Sequence, residues 1–83
     1  MINENEIKKS FGETLRTFRK YKGYSQEYIA EKTGLHRTYI SDIERGDRNL
    51  SLINIMKFCE VLNIKPSDFF SFMEKKECSQ NET

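Results

Sequence analysis

The stretch Ser25-Gln26-Glu27-Tyr28-Ile29-Ala30-Glu31-Lys32-Thr33-Gly34-Leu35-His36-Arg37-Thr38-Tyr39-Ile40-Ser41-Asp42-Ile43-Glu44-Arg45-Gly46 decides the fold. It reads as two short helices joined by one sharp turn. Ser25 is a capping residue for the first of them, and Gly34 supplies the left-handed backbone that the turn requires. Ile29, Ala30, Ile40 and Ile43 fall where the two helices pack on each other and on the rest of the domain, with Ala30 small enough for a close crossing. Arg37, Thr38, Ser41 and Asp42 fall on the opposite, outer edge of the second helix. A helix that buries one edge and offers hydrogen-bonding side chains on the other is suited to the major groove of DNA.

Outward from this unit the chain reads as helices throughout. The first helix is expected from about Lys8 to Tyr21, with Phe11, Leu15, Phe18 and Lys22 along one stripe and Thr14 beside it. Residues 1–7 read as a loose arm, and Gly23 ends the helix. The two helices of the central unit span about Gln26 to Thr33 and Arg37 to Glu44, and Gly46 stops the latter. Asp47-Arg48-Asn49-Leu50-Ser51 forms a polar loop. Ser51 caps a fourth helix over about Leu52 to Leu62, with Leu52, Ile55, Cys59 and Leu62 on one face. After the turn Asn63-Ile64-Lys65-Pro66, a fifth helix runs from near Ser67 to about Lys75. Residues 8–76 thus form one domain, and residues 77–83 read as a disordered polar tail.

Composition agrees with one small helical domain of 83 residues, with 36% hydrophobic and 33% charged residues and a single Pro. No apolar run approaches the roughly 18 residues a membrane span needs. The polar start Met1-Ile2-Asn3-Glu4-Asn5-Glu6 is no secretory signal, so cytoplasmic residence is expected. The net charge is only +1, yet residues 8–48 hold ten Lys/Arg against six Asp/Glu, a balance of +4. The basic excess therefore coincides with the helix-turn-helix unit. Cys59 and Cys78 match neither a zinc pattern nor a disulfide framework; Cys59 reads as a small core residue and Cys78 as an exposed thiol. No base beside a nucleophile, metal cluster or glycine loop for phosphate is present, so neither an enzyme nor a cofactor or metal is expected.

The capping Ser followed by Gln26, then Ala30, Gly34, Ile40 and Ile43, resembles the phage-repressor-type (Xre, Cro/cI-like) helix-turn-helix proteins from about Phe11 to Phe70. Leu35 to Ser41, followed by Glu44-Arg45-Gly46-Asp47-Arg48-Asn49-Leu50, is similar to one subgroup, the controller proteins of restriction–modification systems. The resemblance implies an all-α, five-helix, lambda-repressor-like fold. It also implies a homodimer that binds a near-palindromic operator in double-stranded DNA and regulates transcription, with RNA polymerase as a further candidate partner. A phage or mobile-element repressor, an antitoxin, and an interaction module of the same fold that does not touch DNA remain as alternatives.

Site residues follow from the helix edge and from this resemblance. Arg37 and Thr38 are expected to read bases, with Ser41 and Asp42 one turn further on. Gln26 matches the family position that grips phosphate at a helix start. Arg48 and Asn49 are placed for the adjacent backbone, Arg45 is a further candidate, and His36 and Tyr39 are candidates for backbone or shape contacts. In the family an Arg late in the first helix pairs with the Glu closing the third, which makes Arg19 and Glu44 a structural ion pair. The last two helices carry more apolar residues than one buried face needs. Ile53, Met56, Val61, Phe69, Phe70, Phe72 and Met73 are accordingly expected at a dimer interface, since burial there is worth about 1.5–3 kcal/mol per side chain.

Overall fold

The structure, a computed structural model, describes the backbone of residues 3–81 and the side chains of residues 3–75. Among the described residues five helices follow one another: α1 (Glu4–Lys22), α2 (Gln26–Thr33), α3 (Arg37–Glu44), α4 (Leu52–Leu62) and α5 (Pro66–Asn81). No strand occurs among the described residues. Each boundary has a local cause. Ser25 Oγ accepts the Tyr28 amide at 3.0 Å and Ser51 Oγ accepts the Asn54 amide at 3.1 Å, so both hydroxyls satisfy amides that have no partner within the helix. Gly34 closes α2 with φ of 77°, which places α3 across α2 rather than in line with it. Asn63 does the same for α4 at φ of 53°, the left-handed region that Asn tolerates better than most residues. Pro66 then opens α5, where its missing amide costs nothing.

Two boundaries differ from the sequence reading. α1 begins at Glu4 instead of Lys8, so residues 4–7 are helical where a loose arm was expected. Asn3 Oδ1 accepts the Glu6 amide at 3.1 Å, and Glu4 and Glu6 place negative charge at the positive end of the helix dipole. Capping and charge start the helix there without an apolar stripe to announce it. α5 continues to Asn81, past the expected end near Lys75. Glu, Lys and Gln are good helix formers, and no Gly or Pro interrupts the ladder in that stretch. The expected disordered tail is thus helical over residues 77–81; residues 82 and 83, and the Cys78 side chain, lie outside what is described.

The core is one cluster built from all five helices. Leu15, Ile29, Ile40, Phe58, Leu62 and Phe69 are fully buried, with Phe11, Ile43, Cys59 and Met73 nearly so. Phe69 is the hub of its aromatic part, 5.0 Å from the Phe11 ring and 5.6 Å from Phe18. α1 packs on both α3 and α5, and α2 packs on α3 and α4. The stripe of α1 is Phe11, Thr14, Leu15 and Phe18, but Lys22 is exposed at the helix end. On α4, Leu52 is 72% exposed and Phe58 takes its place inside. Leu52 opens α4 at the surface, whereas Ile55 further along the helix packs partly against the core. Burial pushes the Cys59 thiol up from its ordinary value, which keeps it protonated and inert.

The helix-turn-helix unit is held against α1 by a close backbone approach. A Cβ at Gly12 would stand 2.2 Å from the Ile43 carbonyl oxygen and 2.9 Å from that of Glu44. Only a hydrogen side chain lets α1 reach the C-terminal end of α3 at this distance. Gly12 lies in the middle of α1, where no turn calls for a glycine, and this close approach is what calls for it.

Candidate nucleic-acid interface

α3 buries Ile40 and Ile43 and turns its other edge to solvent. Arg37 and Thr38, in its first turn, are both exposed, and Ser41 and Asp42 are partly so. Leu35 and Tyr39 are partly buried against the core and flank that edge. His36 holds the cap position with extended backbone, but its side chain makes no capping bond and is exposed. The first amides of α3 therefore keep their hydrogen-bonding capacity for other partners.

Behind the edge lies a chain of polar contacts. Arg19 of α1 grips Glu44 of α3 with two parallel bonds, Nε to Oε2 at 2.7 Å and Nη2 to Oε1 at 3.0 Å. Both side chains are almost out of solvent, at 11% and 5% exposure. Arg19 also donates from Nη1 to the Tyr24 carbonyl at 2.9 Å. Glu44 Oε1 takes a further bond from the Gln26 amide nitrogen at 3.1 Å. That contact fixes which way the amide faces, because only its NH2 group can donate to a carboxylate. The Gln26 oxygen is then left to accept from Arg37 Nη1, at 3.3 Å. The exposed guanidinium of Arg37 is also 3.7 Å from Glu27. A buried ion pair thus sets the pose of Arg37 through one glutamine.

A second network lies at the far end of α3. Asp42, with 17% of its side chain exposed, receives Arg45 on Oδ1. Its other oxygen accepts from Arg48, at 3.2 Å from Nη2 and 3.3 Å from Nε. Arg45 also donates to Ser41 Oγ at 2.8 Å and to Asp47 at 3.2 Å. Arg48 lies over the Tyr39 ring, 5.4 Å from its centroid. The Tyr39 hydroxyl accepts from Asn54 Nδ2 of α4 at 3.0 Å. Asn49 is exposed beside Arg48 in the loop.

Asp42, expected to read bases, has both its oxygens engaged by arginines. These positions revise two roles. Phe69 and Met73 were expected at a dimer interface, yet they are 0% and 9% exposed within a single chain and belong to its own core. They lie one turn apart on the face of α5 that meets α1, a choice between faces that no local pattern makes. Ile53, Met56 and Phe72 remain on the surface, with Val61 and Phe70 partly covered. Two participants escaped the sequence reading. Asn54 gave no signal because its partner Tyr39 is fifteen residues away. Glu27 could have been suspected as an acidic side chain across the turn from Arg37.

No group of His, Cys, Asp and Glu among the described residues could hold a metal ion. No helix among them is long and apolar enough to cross a membrane. A short capped helix, a left-handed glycine and a second helix with a polar outer edge define a helix-turn-helix protein. Residues 15–69 match the model of the helix-turn-helix family, and the chain belongs to that family, one of DNA-binding regulators rather than of enzymes. Within it the chain is similar to restriction–modification controller proteins. It is 47% identical over 77 residues to Control protein C.BamHI of Bacillus amyloliquefaciens, a match that covers 92% of this chain and 95% of that one. The crystal structure of the controller protein C.AhdI from Aeromonas hydrophila superposes with a TM-score of 0.74 at 44% identity, over 77% of this chain and 97% of that chain. The controller protein C.Esp1396I, solved as a tetramer in complex with its natural 35 base-pair operator, matches with a TM-score of 0.77 at 34% identity, over 82% of this chain and 90% of that chain.

Proposed function

We propose that this chain is a sequence-specific DNA-binding regulator of transcription, the controller protein of a restriction–modification system, acting as a homodimer on a near-palindromic operator in its own promoter region. The carrying observation is the outward edge of α3, with Arg37 and Thr38 exposed on a helix whose other edge is wholly buried. The likeness to C.Esp1396I, solved on its operator, supports the same docking. Each subunit lays α3 in the major groove, and the two half-sites lie about one helical turn apart on one side of the duplex. Arg37 reads guanine through O6 and N7, and Thr38 contacts a neighbouring base. Gln26, Arg48, Asn49 and the free amides at the start of α3 hold the sugar-phosphate backbone, His36, Tyr39 and Arg45 border it, and Ser41 faces a base one turn further along the helix. Ile53, Met56 and Phe72, with the edges of Val61 and Phe70, form the dimer surface. Occupation of the promoter blocks or recruits RNA polymerase according to where the operator lies. The protein carries out no catalysis on this reading, needs no cofactor, and works in the cytoplasm beside the promoter.

The test is selection of bound fragments from the source genome, followed by titration of the selected duplex and of a random-sequence duplex across about 0.05 to 0.2 M salt. The expected result is recovery of a two-fold symmetric site near a restriction endonuclease gene, with affinity that falls steeply as salt rises. Arg37→Ala should flatten base preference at one position of each half-site, whereas Arg48→Ala should weaken all sequences alike. Binding that ignores both sequence and salt would overturn the function.

A further inference from the structure

The Asp42 network has no adequate explanation in stability. Arg45 and Arg48 are each more than half exposed, and ion pairs of that kind contribute little to folding. Its place is also unusual for a protein that meets phosphates. Asp42 lies one helical turn from Thr38 on the edge of α3 that faces solvent, where a carboxylate repels a polyanion. Yet it holds two of the cations best placed to attract one. Its Oδ1 engages Arg45, and its Oδ2 engages Arg48 at 3.2 Å. Arg45 is further tied to Ser41 and Asp47, and Arg48 rests on the Tyr39 ring.

We infer that Asp42 is a specificity-determining positioning residue, which occupies Arg45 and Arg48 so that arbitrary phosphates cannot engage them freely. It reads no base. A random duplex must draw each arginine away from the carboxylate, and it loses much of the gain. The target duplex, seated by Arg37 and Thr38, presents its backbone where the network already holds the arginines, so both contacts form without dismantling it. Asp42 thereby lowers the affinity for non-target DNA more than the affinity for the operator. This inference rests on the function proposed above.

The test compares wild-type protein with Asp42→Asn and Asp47→Asn, on a random-sequence duplex and on the duplex recovered by genomic selection, as a function of salt. Both variants add one positive charge, but only Asp42 touches both arginines. Asp42→Asn should raise random-duplex affinity by about five- to tenfold near 0.1 M salt and steepen its salt slope by about one, the signature of one more neutralised phosphate. Affinity for the selected duplex should change less, so the ratio between the two falls. Asp47→Asn should produce less than half of the effect. Equal effects from both variants would reduce the matter to net charge and overturn the assignment. So would unchanged random-duplex binding by Asp42→Asn, or a loss confined to the selected duplex, which would mark Asp42 as a base reader. Wild-type protein that binds neither duplex would overturn the proposed function itself, a result distinct from these.

Discussion

Replacing Gly12 by alanine should destabilise this protein, although the same change in an ordinary helix interior helps. Alanine is favoured over glycine by about 1 kcal/mol in a helix, through reduced backbone entropy in the unfolded chain. Against that stands the geometry. The added carbon would sit 2.2 Å from the Ile43 carbonyl oxygen, about 1 Å inside van der Waals contact, and 2.9 Å from the Glu44 oxygen. Both obstacles are backbone, so no rotamer change relieves them; α1 and α3 must move apart along their shared contact. Overpacking typically costs about 1–3 kcal/mol, and a contact between two backbones that cannot rotate away belongs at the upper end of that range. The net expectation is a loss of about 2 kcal/mol, or a fall in melting temperature of roughly 8–16 °C for a domain of this size. Thermal and urea unfolding followed by circular dichroism, at one fixed protein concentration so that any self-association is held constant, measures it. Gly12→Val should be worse than Gly12→Ala. A melting temperature unchanged or raised by alanine would refute the close approach and, with it, the account of how α3 is seated on α1.

Arg19→Met alone leaves Glu44 buried without its bidentate partner and should cost about 3–5 kcal/mol in urea unfolding, whereas the double variant Arg19→Met, Glu44→Leu should recover much of the loss; equal losses in both would mean that the pair itself is not the source. Ile53→Asp should shift the sedimentation equilibrium toward monomer with little change in helix content, while Phe69→Ala should cost about 3–5 kcal/mol in stability as a core truncation; a Phe69→Ala protein of full stability would return that ring to the interface. The Cys59 thiol is raised above its ordinary value of 9.0, so the unfolded chain gives up that proton before the folded one does. Its contribution to stability is complete below that pH and is lost as pH climbs toward the folded value. Unfolding free energy measured across the alkaline range should therefore decline less in Cys59→Ala than in the wild type.

Much of the geometry of the candidate site was legible because its signals are local. Ser25 and Ser51 lie three residues before the amides they cap, and Gly34 has to adopt its left-handed backbone whatever the rest of the chain does. Periodicity assigned Ile29, Ile40 and Ile43 inward and left Arg37 and Thr38 outward. What failed was choice among faces. α5 carries Phe69, Phe70, Phe72 and Met73 within five positions, and a helix so apolar on several sides gives no clue to which side meets its own core. The start of α1 was missed for the opposite reason: capping and dipole charge, not burial, initiate it.

Sequence alone determined the five-helix order, the capped turn and the identity of the side chains on the outer edge of α3, since each depends on residues within about one or two helical turns of one another. Tertiary structure decided the rest. It brought Arg19 to Glu44 across twenty-five positions and Asn54 to Tyr39 across fifteen. It made Gly12 a point of backbone contact, drew Phe69 and Met73 inward, and brought Asp42 together with Arg45 and Arg48. Those outcomes depend on how closely packed helices cross, and a crossing is a property of the assembled core that no single stretch of chain encodes.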